Sequence, residues 1–518
     1  MSEDSVPSVS KLARLVARQA HKAAHRNFLG DIHGDQTLTY AQMASRVRRC
    51  HATLDAAAIA PGGRVLIGVA DPIDFSAAYL GVIAAGRCAV PINPQAPVAE
   101  LERIAVAARP AAVIGDSAEP AHRLGLPVLI PTVDVPEPEL RREPCPGSVL
   151  LLTSGSSGDP KAVELSEDRL LHVAYAVARH NRLTADDRGF SPLPLFHINA
   201  EVVALLATLT AGAELRLDRR FHRHGFWESL ADHDVTWINL VPAILTILAE
   251  YPVPVRPRRL RFIRSASAPL AVAVRHRIEA LTGAPVVESY GMTEAASQIT
   301  ATPLGGSAPP GSCGRPIATE VEVRDSAGQP VAPETIGEIW IRGPGVIAAY
   351  DGGRAAERFD AGGWLETRDR GYLDDDGFLF LAGRSDDVIN RGGELIYPRE
   401  IEEVLIADPA VRDAVVVGRP DPVLGQVPVA YVIAARPPAT AEGLRELLGT
   451  LSARGAAQLS PYKVPAAIYV VQDLPRAATG KIQRHALAQQ VDALKPLRGD
   501  KWQRNTPVRQ GVSLPTGG

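Results

Sequence analysis

The sequence has few cysteines and no excess of charge of either sign, and both shortages exclude classes of protein. Among 518 residues there are four cysteines, so far apart that they fit neither a disulfide framework nor a metal-ligand cluster. Lysine and arginine total 55 against 58 aspartate and glutamate residues, a net charge of −3. This balance gives no electrostatic reason to expect a nucleic-acid partner, and the scattered cysteines predict a cytoplasmic protein.

Long apolar runs are also missing. The most apolar helix-like stretch, residues 200–213, is too short to cross a bilayer and contains Glu201. The first residues are acidic and polar, so we expect neither a membrane span nor a signal peptide. With 46% hydrophobic and 22% charged residues the composition is that of a globular protein, and the length is too great for one core. We therefore expect at least two domains.

What the sequence does contain is a stretch rich in glycine and hydroxyl groups, directly after the apolar residues 149–152. Glycines let backbone N–H groups turn inward around an anion, hydroxyls add donors and a lysine adds a cation. A solvated Ser/Gly linker is the alternative, and the spacing does not match a Walker A loop. The candidate phosphate-binding residues are Thr153, Ser154, Gly155, Ser156, Ser157, Gly158 and Lys161.

Alternating strand and helix patterns dominate the first half of the chain and include a buried helix over residues 200–209. Such alternation predicts an α/β fold, with parallel-rich sheets flanked by helices. Past residue 310, short strands joined by Gly and Pro turns indicate a small β-barrel-like subdomain. Beyond residue 387 a compact α+β pattern follows, and the last residues lack any apolar period.

A second candidate site follows the predicted strand at residues 286–289. In the run from Tyr290 to Glu294, the tyrosine ring can cover adenine and the carboxylate can hold Mg²⁺, although a Tyr-Gly pair is more often a plain turn. Taken singly, His197 reads as a core histidine, and the other charged candidates read as solvated side chains. Those candidates are Asp369, Arg384 and Lys481.

In their order and spacing these segments together resemble the adenylate-forming superfamily, which includes acyl-CoA synthetases, carrier-protein adenylation domains and luciferases. The resemblance implies an ATP- and acid-binding domain over residues 1–385, a mobile lid over 386–497 and a flexible tail over 498–518. It also implies two steps: a carboxylate attacks the α-phosphorus of MgATP to give acyl-adenylate and pyrophosphate, and then a thiol displaces AMP.

The resemblance also assigns roles to residues. The loop that ends at Lys161 would grip the β- and γ-phosphates, while Glu294 and Thr293 would handle Mg²⁺ and the α-phosphate. Asp369 would accept hydrogen bonds from the ribose, with Arg384 nearby. The residues of the nucleotide slot would be Ser267, Ala268, Pro269, Glu288, Ser289, Tyr290 and Gly291.

Three further roles concern the moving parts. Lys481 would bridge the substrate carboxylate and the α-phosphate during the first step. Asp386 falls at the hinge, and the strand around Gly392 and Gly393 would line the thiol tunnel after the lid turns. His197 would stand between the phosphate loop and the acyl slot.

Coenzyme A is the favoured thiol, since no carrier motif follows the module, while a stand-alone enzyme that loads a carrier protein is the alternative. An inactive nucleotide-binding scaffold is the non-enzyme alternative. The filled roles argue against the scaffold. One departure is visible: Arg368 stands where the family usually has glycine before the aspartate.

The sequence determines the identity of the substrate acid less closely than it determines the reaction. The stretches 261–267 and 288–302 are most similar to oxalyl-CoA synthetases, and a dicarboxylate needs a second cation or donor, which Arg264 or His197 could supply. Small residues near the inferred pocket would equally suit a bulky aryl or polycyclic acid. We expect the small dicarboxylate and keep the bulky acid as the alternative.

Overall fold

The computed structural model describes residues 10–116, 124–131, 145–153, 161–353, 355–476, 482–484 and 487. Ser154 to Gly158 of the predicted phosphate loop and Lys481 lie outside these residues. For Thr153, the last residue of its strand, only the backbone is described.

The strands fall at regular intervals along the chain. In order they are β1 Asn27–Asp31, β2 Thr37–Thr39, β3 Arg64–Gly68, β4 Cys88–Pro91, β5 Ala112–Gly115, β6 Val128–Leu129, β7 Ser148–Thr153, β8 Lys161–Ser166, β9 Arg188–Ser191, β10 Glu214–Leu217, β11 Trp237–Leu240, β12 Phe262–Ser265, β13 Val286–Tyr290, β14 Thr300–Ala301, β15 Arg315–Pro316, β16 Glu320–Arg324, β17 Gly337–Arg342, β18 Leu365–Leu373, β19 Leu379–Arg384, β20 Ile389–Arg391, β21 Glu394–Ile396, β22 Val411–Asp421, β23 Gly425–Ala434 and β24 Ala467–Val471.

Helices separate most of the strands of the first half. The α-helices are Lys11–Lys22, Tyr40–Ala56, Pro72–Ala84, Val98–Ala108, Glu167–His180, Ala207–Ala211, Phe226–Asp232, Pro242–Ala249, Val272–Thr282, Pro398–Ile406 and Ala441–Gln458. Their starts follow ordinary capping chemistry. Asp71 accepts hydrogen bonds from the backbone N–H groups of Ile73 and Asp74, and Pro72 occupies the first turn, where its missing N–H costs nothing.

Two large sheets form the first part of the molecule. The nine-stranded sheet has the order β15-β14-β13-β12-β11-β9-β10-β1-β2, with parallel pairing from β13 through to β1. The six-stranded sheet has the order β6-β5-β3-β4-β7-β8. Parallel strands end at one edge of a sheet, so the loops after β12 and β13 lie side by side, where ligands of α/β sheets bind.

Two smaller sheets follow. Strands β16-β17-β18-β19 form an antiparallel sheet, and β21-β20-β23-β22, with β24 parallel to β23, form the last one. The last sheet packs with the helices Pro398–Ile406 and Ala441–Gln458 around its own hydrophobic core. The predicted α/β class with parallel-rich sheets and a small α+β C-terminal part is therefore confirmed.

The helix expected over residues 200–209 is different in kind. Residues Asn199–Leu206 form a π-helix, which continues as an α-helix from Ala207 to Ala211. The spacing of hydrophobic residues does not distinguish a π-helix from an α-helix. The sequence therefore predicted that this helix is buried, but not that it has an extra residue per turn.

None of the helices within the described ranges is both long and apolar enough to cross a membrane.

Candidate active site

The end of β13 brings an aromatic hydroxyl to a carboxylate from the small antiparallel sheet. Tyr290 donates its hydroxyl to Asp369 Oδ2 at 2.6 Å, and Arg384 Nε lies 3.6 Å from Asp369 Oδ1. Burial raises the pKa of Tyr290 well above its ordinary value, and the nearby Asp369 raises it further. The phenol is therefore neutral and available as a donor.

A β-bulge positions Asp369. The register between β17 and β18 shifts between Glu338 and Trp340, so extra residues of β18 stand opposite Ile339. Thr367 donates its hydroxyl to Ile339 O at 2.8 Å and accepts from the Asp369 N–H at 3.0 Å. Arg368, between them, has a left-handed backbone with φ +64°.

Gly291 is required by a close approach of the backbone. A Cβ at this position would lie 1.4 Å from the carbonyl oxygen of Ser297. The contact folds the loop after β13 back on itself, so that Ile299 N bonds Tyr290 O at 2.9 Å. No side chain fits at residue 291 without displacing this loop.

Glu294 lies in a buried polar cluster. It accepts the Tyr350 hydroxyl at 2.7 Å, and the guanidinium of Arg358 lies 3.6 Å from the same oxygen. Arg358 also donates to the Tyr350 hydroxyl, and Lys161 Nζ stands 5.4 Å from the centre of the Tyr350 ring. The structure thus brings Lys161 and Glu294 together through two residues that the sequence analysis missed, Tyr350 and Arg358.

The Glu294 cluster fits magnesium that arrives with phosphate. Mg²⁺ is usually held by one or two carboxylates and by phosphate oxygens, and Glu294 supplies one buried carboxylate. Thr293 is half-buried beside it, in the same short 3-10 helix.

A separate group of potential metal ligands lies at the ends of β1 and β10. His33 and His222 both contact Asp218 Oδ2, at 3.1 and 2.9 Å, and Arg220 Nε donates to His222 Nε2 at 3.1 Å. Because His222 Nε2 accepts, its Nδ1 carries the proton that Asp218 accepts. This group is accounted for by its own hydrogen bonds.

The predicted adenine residues occupy both strand ends. Ser267, after β12, is exposed and has φ +75°, an unusual conformation for a residue other than glycine. The pKa of Glu288 is raised by burial, although Arg275 donates to its carboxylate at 3.1 Å. Ala268 and Pro269 continue the loop beside Ser267, so both predicted segments reach the same edge of the sheet.

Arg264 on β12 is a fully buried arginine, 0% exposed. Its Nη2 donates to Ser289 Oγ at 2.9 Å and to Gln298 Oε1, while Nε and Nη1 have no hydrogen-bond partner. Burial lowers its pKa to about 9. Within the described ranges no acidic side chain pairs with Arg264.

The His197 imidazole, like the Arg264 guanidinium, has a buried nitrogen without a hydrogen-bond partner. Its Nε2 is buried without a hydrogen-bond partner, and its ring packs 4.5 Å, centre to centre, from that of Phe196. Burial lowers the pKa of His197 to about 4, so the imidazole is neutral at neutral pH.

The proposed hinge and thiol strand lie in the last part of the chain. Asp386 is in a short 3-10 turn, with one carboxylate oxygen 3.9 Å from Arg368 Nη1. Gly392 and Gly393 form the turn between β20 and β21 at φ +62° and +96°. Gly392 N bonds Leu424 O at 2.7 Å.

Two family models match the chain. The model of the AMP-binding enzyme matches residues 13–351, and that of the AMP-binding enzyme C-terminal domain matches residues 400–481. The chain belongs to the AMP-binding enzyme family. Sulfoacetate–CoA ligase from Cupriavidus necator is 34% identical to this AMP-binding enzyme over 91% of this chain and 96% of that protein. Oxalate–CoA ligase from Arabidopsis thaliana is 33% identical over 92% and 98%.

Solved structures agree with these relatives. O-succinylbenzoate coenzyme A synthetase from Bacillus subtilis, in complex with ATP and magnesium ion, covers 91% of this AMP-binding enzyme and 98% of its own chain. The TM-score is 0.80 and the identity 30%. The sequence-based prediction of an ATP-dependent, AMP-forming acid–CoA ligase that uses ATP, magnesium and coenzyme A is confirmed.

Proposed function

We propose that this ligase activates a small acid that carries a second anionic group, and that Arg264 binds this group. The carrying observation is the fully buried Arg264 without an acidic partner in the described chain. A buried cation without an acidic partner costs several kcal/mol, because burial removes its hydration and no opposite charge replaces it. A second carboxylate or sulfonate on the substrate would supply the missing charge.

The unused donors around Arg264 suit an anion. Its Nε and Nη1 have no partner, and Gln298 Nε2 is also buried without one. The Nε–H and an Nη1–H can each donate a charge-assisted hydrogen bond to a carboxylate or sulfonate oxygen. A neutral, apolar acid would leave these donors unsatisfied.

The position of Arg264 favours a short acid. Its guanidinium bonds Ser289, and the next residue, Tyr290, reaches the proposed ribose carboxylate Asp369. Ser289 and Tyr290 are the last two residues of β13, so Arg264 is anchored at the strand end that also bears the proposed nucleotide site. A bulky aryl or polycyclic acid remains the alternative, and it would need a longer apolar slot.

Two relatives bear names consistent with this proposal. Sulfoacetate and oxalate each carry two acidic groups, and those two acids are in the names of ligases similar to this chain over most of its length. The relatives therefore support an acid of this class without deciding its length.

The roles of the remaining residues follow from the family resemblance and stay our proposal. The loop 153–161 holds the β- and γ-phosphates, Tyr290 and the 267–269 segment hold adenine, and Asp369 holds the ribose. Lys481 offsets the negative charges of the substrate carboxylate and the α-phosphate where the two groups approach each other. Residues 1–385 form the ATP- and acid-binding domain, 386–497 the lid and 498–518 the tail.

The buried polar cluster defines the chemistry of the first step. An anionic nucleophile approaches a polyanion, so cations and donors must offset the developing charge. Lys161 and Arg358 supply positive charge beside Glu294, and the Tyr350 hydroxyl fixes the orientation of that carboxylate. Magnesium held at Glu294 would add Lewis-acid stabilisation at the phosphates.

We also place the enzyme in the cytoplasm, since all four of its cysteines are free thiols in the structure, as a reducing compartment requires. A carrier-protein thiol as acceptor is the second candidate for the later step. Comparing thioester formation with coenzyme A and with a phosphopantetheinylated carrier protein separates the two.

An acid panel tests the proposed substrate class. Pyrophosphate release and CoA-thioester formation are measured with oxalate, malonate, succinate and sulfoacetate, and with acetate, propionate, butyrate and large aryl acids. We expect turnover to be confined to acids with a second anionic group. Turnover of a large aryl acid, with none of the short dianions, would overturn the proposal.

A further inference from the structure

The start of the helix Pro398–Ile406 contacts the earlier part of the chain across the proposed hinge. Arg399, which is 9% exposed, donates from Nη1 to the backbone carbonyl of Leu381 at 3.0 Å and from Nε to Glu403 at 2.8 Å. Leu381 lies on β19, before the hinge, whereas Glu403 lies on the same helix as Arg399. The guanidinium therefore joins the proposed lid to the antiparallel sheet of the ATP- and acid-binding domain.

Two further contacts hold the same helix start against that domain. Burial raises the pKa of the Cys313 thiol to about 11, and the Arg399 guanidinium beside it offsets part of this rise. Tyr397, at the N-cap of the helix, has its ring centre 5.9 Å from the guanidinium carbon of Arg370 on β18. A cation at this distance from the face of an aromatic ring is attracted to it. Contacts near β18, β19 and Cys313 thus surround the helix start.

The two ends of the Arg399–Leu381 hydrogen bond belong to separately packed parts of the protein. Leu381 packs against the large core of the first part of the chain, whereas Ile401 and Leu405, on the helix of Arg399, belong to the core of the last sheet. A turn of the proposed lid about Asp386 would carry the helix away from β19. The hydrogen bond to the Leu381 carbonyl would then break.

The proposed thiol strand faces solvent in the orientation that Arg399 holds. Gly392, Gly393, Glu394 and Leu395 are all exposed. A strand that lines a tunnel between two domains would be covered by both. The lid orientation in this structure is therefore not the one proposed for thioester formation.

We propose that Arg399 is a positioning residue that holds the lid in the orientation of the first half-reaction and releases the Leu381 carbonyl before the second. This proposal rests on the proposed function, namely on a lid over residues 386–497 that turns between the two steps. Removal of one hydrogen bond from a charged donor should shift the balance between the two orientations about tenfold toward the turned one.

Glu403 makes the release of Leu381 reversible. It lies four residues after Arg399 on the same helix, so this ion pair turns with the lid and persists in both orientations. The Arg399 charge is therefore never left without an acidic partner, which would be far more costly than the loss of one hydrogen bond to a carbonyl.

Fluorescence resonance energy transfer between labels at residues 106 and 423 measures the orientation of the lid. Val106 and Val423 are 78% and 86% exposed, one in each domain, so labels attached there through unnatural amino acids disturb no core. We expect wild type to favour the present orientation with ATP and the turned one with coenzyme A plus AMP. R399M should lower the ratio of the present to the turned orientation about tenfold with ATP. R399K, whose ammonium can still donate to the Leu381 carbonyl, should give an intermediate ratio.

R454M is the matched control, because Arg454 binds the other end of the same helix from within the lid. Its Nε donates to Val404 O at 3.0 Å and its Nη2 to Ala407 O at 3.3 Å. R454M should lower the Tm and leave the energy-transfer distribution of wild type unchanged. A wild-type distribution in R399M, or the same shift in R454M, would overturn the role of Arg399. A wild-type lid that keeps one orientation with both sets of ligands would instead refute the proposed movement of the lid.

Discussion

Arg264 lies on β12 inside the nine-stranded sheet, and its charge has no acidic partner in the described ranges, whereas another buried arginine of the same sheet does have one. Arg216 on β10 pairs with Glu214 at 2.7 Å. The two residues have the same side chain and are similarly buried. The comparison therefore distinguishes an arginine with a structural role, Arg216, from one that is available to a ligand, Arg264. Binding sites commonly retain groups that reduce the stability of the free protein.

This contrast predicts opposite effects on stability. R264M should raise the Tm of the ligand-free enzyme by about 3 °C or more, because it removes an unpaired buried cation. R216M should lower the Tm, because it leaves Glu214 with one guanidinium fewer. Differential scanning calorimetry measures both. A loss of Tm in R264M as large as that in R216M would make Arg264 a structural residue.

His197 predicts a pH dependence of stability. Its pKa falls from 6.5 to about 4 in the folded protein, so the unfolded chain binds the proton more strongly between these values. The stabilisation is complete above pH 6.5 and is lost as the pH falls toward 4, by at most about 3 kcal/mol. We expect the free energy of unfolding, measured by urea denaturation, to fall less steeply with decreasing pH in H197Q than in wild type. Parallel slopes would contradict the burial of the imidazole.

Sequence reasoning proposed candidate-site residues chiefly where they belong to contiguous motifs. Tyr290 and Glu294 follow a predicted strand, whereas Asp369 was assigned by the family resemblance. Tyr350 and Arg358 were missed because their role comes from contacts across 56 and 8 residues, which no local pattern encodes. Arg264 was proposed from similarity, but only the structure revealed that none of the described acidic side chains pairs with it.

At the scale of elements, the π-helix Asn199–Leu206 carries a buried carboxyl group. Glu201 accepts the Tyr79 hydroxyl at 3.1 Å with one oxygen, while the other has no partner. Burial raises the pKa of Glu201 to about 8, so it is largely protonated at neutral pH. The π-helix thus holds a neutral acid inside the protein, with the Tyr79 hydroxyl as its hydrogen-bond donor.

E201Q should therefore gain stability relative to wild type as the pH rises. Between pH 4.5 and 8 the folded protein holds a proton on Glu201 that the unfolded chain has released, so the wild type loses stability across this range. Glutamine is neutral throughout and keeps an acceptor for Tyr79. Thermal melts at pH 5 and pH 8 give the comparison, and a constant difference would refute the raised pKa.

At the scale of the whole molecule, the order of motifs predicted the α/β part and the compact α+β part after it. Hydrophobic patterning identified most strands and helices, because amphipathic helices bury one face and the central parallel strands are short apolar runs. The arrangement of four sheets could not be predicted, since strand order depends on contacts between distant segments. Neither could the contact of Arg399, on the helix Pro398–Ile406, which donates to Leu381 O at 3.0 Å.

The proposed movement of the lid predicts a difference between the two half-reactions. Lys481→Ala should slow adenylation by about 100-fold, comparable to the loss of one transition-state donor. Thioester formation from supplied acyl-adenylate should be nearly unaffected, because the lysine is proposed to act only where the carboxylate meets the phosphate. Rapid-quench measurement of each step decides this, and equal losses in both would reject the role of Lys481.

The most direct test of the central claim measures selectivity between matched acids in wild type and R264M. The ratio of kcat/KM for succinate over butyrate, or for malonate over propionate, isolates the second anionic group, while the KM for ATP is the internal control. We expect R264M to reduce the ratio by about 100-fold or more, the loss of a buried charge-assisted pair, at an unchanged KM for ATP. An unchanged ratio in a folded R264M enzyme would contradict the assignment of Arg264 to the acid.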